Sequence, residues 1–211
     1  MGTLLVIEGV DGAGKRTLTD KLVGAWRGRG LSVATEAFPR YGRSVTADLG
    51  AEALRGAHGD LAESVYAMAL MWALDRHAAR GELDELVRTH DVVLLDRYVA
   101  SNAAYGAARL HQEPGDGFVE WVRELEFERF ALPVPDRQLY LDVPVELARA
   151  RAVARAQSDP TRERDAYERD AELQARTAQA YRQLSAAGWG SPWTTVDPDA
   201  DAESLADGLL G

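Results

Sequence analysis

Residues 3–28 constrain the fold more than any other stretch. The apolar run "TLLVIE" (3–8) leads into "GVDGAGK" (9–15), after which Leu18, Leu22, Val23 and Trp26 recur at helical spacing. Strand, glycine-rich turn and helix, in that order, are the context that the spacing G-x-x-x-x-G-K at Gly9, Gly14 and Lys15 requires. Such glycines let backbone N–H groups turn inward to cradle phosphate oxygens. Lys15 adds a point charge and the helix N-terminus adds its dipole. A plain glycine-rich turn would not need those flanks, so the stretch reads as a nucleotide-phosphate site. One letter departs from the pattern. Arg16 follows Lys15, and the hydroxyl that normally sits on Mg²⁺ comes one position late, at Thr17.

Four more β-branched runs follow: "LSVATEAF" (31–38), "DVVLLD" (91–96), "RQLYLDV" (137–143) and "WTTVD" (193–197). "VVLL" barely alternates, as expected of a strand covered on both faces. Helical patterns separate the runs: Glu63–Leu86, Phe118–Phe130, Glu146–Arg155 and Ala166–Leu184. Alternating strands and helices predict an α/β fold, a doubly wound, five-stranded parallel sheet in one domain spanning 1–211. In such a sheet ligands bind at the carboxyl ends of the strands. Polar residues stand there: Glu8 and Asp11, Arg40, Asp96 with Arg97, and Asp142.

A chain of 211 residues with 46% hydrophobic and 27% charged residues has an ordinary globular composition. It has no cysteine, which excludes disulfides and thiolate metal sites. No apolar run approaches membrane-span length, and "TLLVIEG" follows no basic leader, so the sequence predicts a cytoplasmic protein without a membrane partner. A net charge of −10 argues against polymeric nucleic acid but not against one small anion met by local arginines.

Those arginines are in place. "FPRYG" (38–42) leaves Arg40 and Tyr41 at the sheet's carboxyl edge, where a guanidinium can fork onto phosphate or simply be solvated. "DVVLLDRY" ends an apolar strand in Asp96, the pattern of a carboxylate facing Mg²⁺ or its waters, although Asp96-Arg97 could be a local ion pair. In "LMWALDRHA" (70–78) Trp72 and Arg76 are spaced i, i+4, suited to stacking on a base and hydrogen-bonding its carbonyls, or to a core indole beside a surface salt bridge. Six arginines between 148 and 170, around Pro160, describe a lid at about 149–165 that closes on a transferring phosphate; some of them would also suit a solvated helix.

Together "EGVDGAGK", "FPRYG", "ALDR", "DRYVASNAAY" and the lid ending in "YERD" resemble the thymidylate kinase family over nearly the whole chain, with wording most like that of actinobacterial members. The resemblance implies an ATP- and Mg²⁺-dependent homodimeric enzyme that phosphorylates dTMP in the P-loop kinase fold. It implies that Gly9, Gly12, Ala13, Gly14, Lys15, Arg16 and Thr17 meet ATP. Arg40 and Arg97 would hold the dTMP phosphate, Trp72 (usually Phe in the family) would stack on thymine, and Arg76 and Asn102 would read its edge. Phe38, Tyr41, Asp75, Ser101 and Tyr167 complete the substrate site it implies, with Tyr105 crowding the ribose 2′ position and Asp11 near the sugar's 3′ side and the metal. With Gly at position 12, the catalytic arginine is expected from the lid: Arg151, Arg155 or Arg162.

Arg16 cannot ligate Mg²⁺, because guanidinium has no lone pair to offer. Thr17 lies about 100° further round the helix than the usual ligand. Asp11 is therefore the expected direct ligand, with Asp96 and Glu168 holding the metal's waters. A GTP-dependent switch would need N-K-x-D, but Asn102 is the only asparagine and no lysine follows it. A nucleoside kinase would need no clamp for an acceptor phosphate, which Arg40 and Arg97 would supply. A non-catalytic nucleotide-binding protein rests on Arg16 alone, against Lys15, Asp96 and the lid arginines.

Overall fold

The computed structural model describes residues 1–158 and 166–210. Five strands, β1 (Thr3–Glu8), β2 (Val33–Ala37), β3 (Val92–Asp96), β4 (Arg137–Leu141) and β5 (Trp193–Val196), form one sheet in the order β2-β3-β1-β4-β5. Every pairing is parallel. Leu4 to Ile7 and Val92 to Leu95 are all at most 2% exposed, as continuous apolar runs in a doubly covered sheet must be. The predicted α/β architecture is therefore the observed one.

Helices α1 (Lys15–Gly28), α2 (Val45–Leu54), α3 (Val65–Thr89), α4 (Val99–Leu110), α5 (Gly117–Arg123), α6 (Val145–Ser158), α7 (Ala166–Arg169), α8 (Ala171–Ala186) and α9 (Ala202–Leu210) connect and cover the strands. α2 and α3 start where Ser44 and Ser64 accept hydrogen bonds from Ala47 N and Ala67 N, the N-cap arrangement that satisfies an otherwise orphaned donor. The predicted helix over 166–184 is divided at Asp170, whose carboxylate caps the start of α8 by accepting from Leu173 N. The predicted helix over 118–130 begins as α5 and widens into a π-helical segment, Glu124–Arg129. The strand expected over 31–38 is shorter because Ser32 turns aside to meet Asp91, its backbone N–H donating to Oδ2 at 2.8 Å.

Three helices were not anticipated. α2 follows directly on "FPRYGRS", α4 begins within "DRYVASNAAY", and α9 lies beyond the last strand. Each is short, and the buried face of α4 is built mostly of alanine and glycine rather than of large apolar residues. α9 is held by tertiary contact: Trp26 of α1 is fully buried and its indole N–H donates to Ala206 O.

The pairing of β1 with β3 sets the site. Ile7 stands opposite Asp96, and Arg97 N donates to Ile7 O at 2.9 Å. The loop after β1 and the turn after β3 are thus side by side at the carboxyl edge. α4 leaves that edge and packs against α5 through Gly106, where an added Cβ would lie 1.9 Å from the Phe118 ring. Overpacking there costs about 1–3 kcal/mol, and the better helix propensity of Ala returns at most about 1. Gly106→Ala is accordingly expected to lower unfolding free energy by about 1–2 kcal/mol in a urea titration; an equal or higher midpoint would contradict this packing.

Candidate active site

Gly14 adopts φ +105° immediately before α1 and Gly12 φ +80°, conformations that glycine reaches without steric cost. Gly12 also has no room for a side chain, since a Cβ would come within 2.0 Å of the Ala148 carbonyl of α6. Lys15 is 8% exposed and its ammonium donates to Gly9 O and Val10 O, both at 3.1 Å. Burial, with Arg97 nearby, pulls the Lys15 pKa down, while Asp96, Asp11 and Glu8 oppose the shift. Arg16 and Thr17 are exposed on the first turn of α1 and border the cavity. Gly9 and Ala13 shape the loop from outside it: Gly9 O receives Lys15 and Ala13 O receives Arg151 Nη1 at 3.3 Å.

Beside this loop Arg97 sits at φ +66°, a backbone state costing a non-glycine residue about 1–3 kcal/mol and typical of functional sites. Its side chain is held from several directions. Nη2 donates to Asp11 Oδ1 at 2.8 Å and to the Tyr105 hydroxyl, while Nη1 reaches Ser101 Oγ and the Tyr181 hydroxyl. Tyr105 in turn donates to Asp11 Oδ2 at 2.9 Å. Burial would raise the Asp11 pKa, but Arg97 and Lys15 together hold it well below the usual aspartate range. Burial works against the Arg97 charge, yet Asp11, Tyr105, Tyr181 and Asp96 together outweigh it and keep the pKa well above the ordinary value.

Under Arg97 lies a carboxylate without an assigned role in the sequence reading. Glu8 is fully buried and accepts from Tyr98 N, Ser101 Oγ and the Tyr181 hydroxyl at 2.7–2.8 Å. Burial raises its pKa against those hydrogen bonds and the Arg97 charge. Tyr181, from α8, had no sequence signal; Glu8 did, as a charge closing an apolar strand.

Further along the cavity, Trp72 fits because α2 carries Gly50 opposite it: a Cβ on Gly50 would meet the indole at 2.4 Å. Tyr41 stands edge-on to Trp72 with ring centroids 6.5 Å apart, and Phe38 lines the same region. Arg76 and Asn102 also line it, so these five predicted base-binding and neighbouring residues are brought together. Both polar ones are tied to Glu126, which sequence reading passed over. Arg76 donates to its carboxylate through Nε at 2.5 Å and Nη2 at 2.8 Å, and Asn102 Nδ2 donates to Oε1 at 2.8 Å. Glu126 is fully buried. A charge falling on the apolar stripe of Phe118, Val119, Val122 and Leu125 was the available signal, since a buried charge requires a partner.

Arg40 and Asp75 do not line the cavity. Arg40 turns back onto Asp75, its Nε donating to Oδ1 at 2.9 Å, its backbone N–H to Oδ2 and its Nη2 to the Asp75 carbonyl. This buried pair fixes the Phe38–Tyr41 loop against α3.

On the lid side, Arg151 of α6 borders the cavity. Arg162 lies outside the described residues, as do the side chains of Arg155 and Glu168. Tyr167 on α7 stacks near Tyr105 at 6.0 Å and receives a hydrogen bond from Arg109. Arg109 also donates to the Ala62 and Glu63 carbonyls, so it ties α7 to the segment before α3; no sequence pattern singled it out.

The cavity enclosed by these groups measures about 1190 Å³, above the usual range of roughly 300–1,000 Å³ for one small ligand. For Mg²⁺, the relevant observation is Asp96, whose Oδ1 is buried without a hydrogen-bond partner. Both Asp11 oxygens already hold hydrogen bonds, leaving only their remaining lone pairs. Among the described residues no trio of acids or histidines could hold a metal unaided. Mg²⁺ commonly takes one or two carboxylates with substrate phosphates and waters, so Asp96 and Asp11 fit it only together with a bound nucleotide.

A parallel sheet with a phosphate loop after its first strand, a lysine within that loop and an acid closing the adjacent strand define a P-loop kinase fold. Comparison with known proteins narrows the class. The family model described as Thymidylate kinase matches residues 7–197, and the chain belongs to that family. It is 60% identical over 203 residues to the thymidylate kinase of Mycobacterium tuberculosis, covering 96% of this chain and 95% of that protein. It is 32% identical over 214 residues to the Akkermansia muciniphila thymidylate kinase (97% of this chain, 88% of that protein). A probable thymidylate kinase of Staphylothermus marinus is 35% identical over 143 residues, 67% of this chain and 64% of that protein. The chain is a kinase, and no helix among the described residues is long and apolar enough to cross a membrane.

The depressed Asp11 pKa gives a pH test with a definite sign. Its ion pair contributes stability fully present above the ordinary aspartate value of 3.8 and lost as pH falls below it toward the lower folded value. Wild type is expected to exceed Asp11→Asn by about 1–2 kcal/mol near neutrality, with the gap narrowing as pH drops below 3.8. Urea unfolding at a series of pH values measures it; a pH-independent gap would contradict the pairing.

Proposed function

We propose that this protein transfers the γ-phosphoryl group of ATP to the phosphate of dTMP, giving ADP and dTDP and so supplying dTTP synthesis. The observation that carries the reading is the presence, in one cavity, of two phosphate-binding groups beside a base slot. The Gly9–Thr17 loop with Lys15 suits the donor, Arg97 the acceptor phosphate, and Trp72, Arg76 and Asn102 the base. Arg40 would have to leave Asp75 to join Arg97. Tyr105, pinned between Asp11 and Arg97, would crowd the ribose 2′ position and so favour deoxyribose.

The attacking oxygen of dTMP is already anionic, so the reaction needs no strong general base. Its bond to the γ-phosphorus forms as the bond from that phosphorus to the bridging oxygen of ADP breaks, with the displaced electron pair leaving on ADP. Catalysis is then positioning plus stabilisation of charge spread over the transferring group. Lys15 and Arg97 hold the two phosphates in line. Arg151, with Arg155 and Arg162, would bring further positive charge from a lid at about 149–165. Asp11 would hold Mg²⁺ directly, with Asp96 and Glu168 placed to hold its waters, and the ion would supply charge neutralisation at the phosphates. Arg16 adds positive charge near the ATP phosphates in place of a hydroxyl ligand. Family membership supports a homodimer in the cytoplasm formed from a single kinase domain, which sedimentation would test for its subunit number.

A coupled ADP-release assay with ATP and a panel of nucleosides and monophosphates tests the central reading. Turnover is expected with dTMP far above thymidine, and no ADP release with dTMP would overturn it. Stereochemistry tests the chemistry: a chiral γ-phosphoryl group is expected to invert, whereas retention would indicate a phosphorylated protein intermediate.

The metal reading separates two variants. Asp11→Asn is expected to lower kcat by on the order of a hundredfold or more and to raise the Mg²⁺ requirement, as loss of electrostatic stabilisation does. Arg16→Ser is expected to keep substantial activity. Equal losses in the two variants would contradict the assignment.

A further inference from the structure

We propose that Glu126 is a positioning residue that selects which pyrimidine the base slot accepts, by fixing the orientation of the Asn102 amide. The inference rests on the reading of Arg76 and Asn102 as base-contacting groups and adds to it a residue outside the cavity lining.

Asn102 can present either its carbonyl oxygen or its NH₂ to a ligand, and the two choices recognise opposite partners. Its surroundings remove the choice. Nδ2 lies 2.8 Å from the Ala69 carbonyl and 2.8 Å from Glu126 Oε1. A peptide carbonyl and an ionised carboxylate accept hydrogen bonds and donate none, so both amide hydrogens must point inward. Oδ1 is what remains for the cavity, as an acceptor. Both Glu126 oxygens act as acceptors, since Arg76, a group that stays charged when buried, donates to Oε2 through Nε and to Oε1 through Nη2. That contact uses Arg76 Nε and one Nη2 hydrogen, which leaves the Nη1 donors of Arg76 for the same cavity.

A single carboxylate therefore sets both halves of a pattern, an acceptor from Asn102 and donors from Arg76. The complement is a lactam edge, a ring N–H beside a carbonyl. Thymine and uracil present that edge. Cytosine presents the inverse, an unprotonated ring nitrogen beside an amino group, and would meet acceptor with acceptor and donor with donor. Buried polar groups left unpaired in this way are the strongest source of discrimination between similar ligands. The local backbone supports the role: Glu126 lies in the π-helical segment Glu124–Arg129, a departure from α-geometry that recurs at functional sites.

Glu126→Gln tests it. The glutamine carbonyl can still accept at one position, but its NH₂ must face a donor, either Arg76 or Asn102, so one of them loses its fixed orientation. The ratio of kcat/KM for dTMP to that for dCMP is expected to fall by about tenfold or more, with the KM for ATP unchanged. In an Asn102→Ala background the same substitution is expected to change the ratio by a clearly smaller factor, because only the Arg76 half of the pattern remains for it to act through. Thermal midpoints report any general loss of structure, which would move both substrates and ATP together. Should Glu126→Gln fail to fold, Glu126→Asp keeps the charge while withdrawing the carboxylate by one methylene, and is expected to lower the ratio by a smaller factor. An unchanged ratio in the folded variant overturns the proposal. A wild-type enzyme that failed to prefer dTMP over dCMP would instead overturn the underlying reading of the base slot.

Discussion

The ion pair between Asp11 and Arg97 ties together the two loops on which the catalytic end depends. Parallel register between β1 and β3 brings those loops to adjacent strand ends, but register alone would leave two flexible side chains there. The pair, with Tyr105 bridging it, turns them into one object. Arg97 is held in a strained backbone conformation and aimed by four polar neighbours, so little reorganisation is left for the moment when charge develops. Preorganisation of this kind is what makes a fixed cation worth more in a cavity than in water.

Local charge balance explains how an acidic protein can hold nucleotide phosphates. The chain carries a net charge of −10, yet Lys15 and Arg97 face the cavity with Glu8, Asp11 and Asp96 around them. Burial lowers the Lys15 pKa and those acids oppose the shift, while Arg97 opposes the rise that burial imposes on Glu8. At the base end the almost completely buried Arg76 and Glu126 likewise face each other, so neither charge is left in the interior without a partner.

Much of this was legible because it is covalently local. The phosphate loop is a run of neighbouring letters between a strand and a helix, and the strands are apolar runs whose burial follows from parallel packing. Asp96 and Arg97 declare themselves by ending such a run. What was hidden depends on partners distant in sequence. Arg40 looked like a free phosphate ligand until Asp75, 35 residues away, claimed three of its donors. Glu126 reaches Arg76 across 50 residues and Tyr181 reaches Glu8 across 173, separations at which no periodicity or spacing rule operates. α4 was hidden for a different reason. Its alanines and glycine pack closely against α5 and α8, so its buried face is made of small residues rather than the large ones that mark a helix in sequence.

That small volume has a consequence for how the site works as a unit. α4 carries Ser101 and Tyr105 toward the Arg97 cluster, Asn102 toward the base slot, and Arg109 toward α7. The groups proposed to recognise phosphate and base, and the arginine that anchors α7, therefore project from one helix of twelve residues. Gly106 packs against Phe118 so closely that a Cβ there would lie 1.9 Å from the ring. On the proposed assignment, a shift of α4 that followed a displaced base at Asn102 would also carry Tyr105 away from Asp11, so that one helix would couple the fit of the base to the placement of the phosphate.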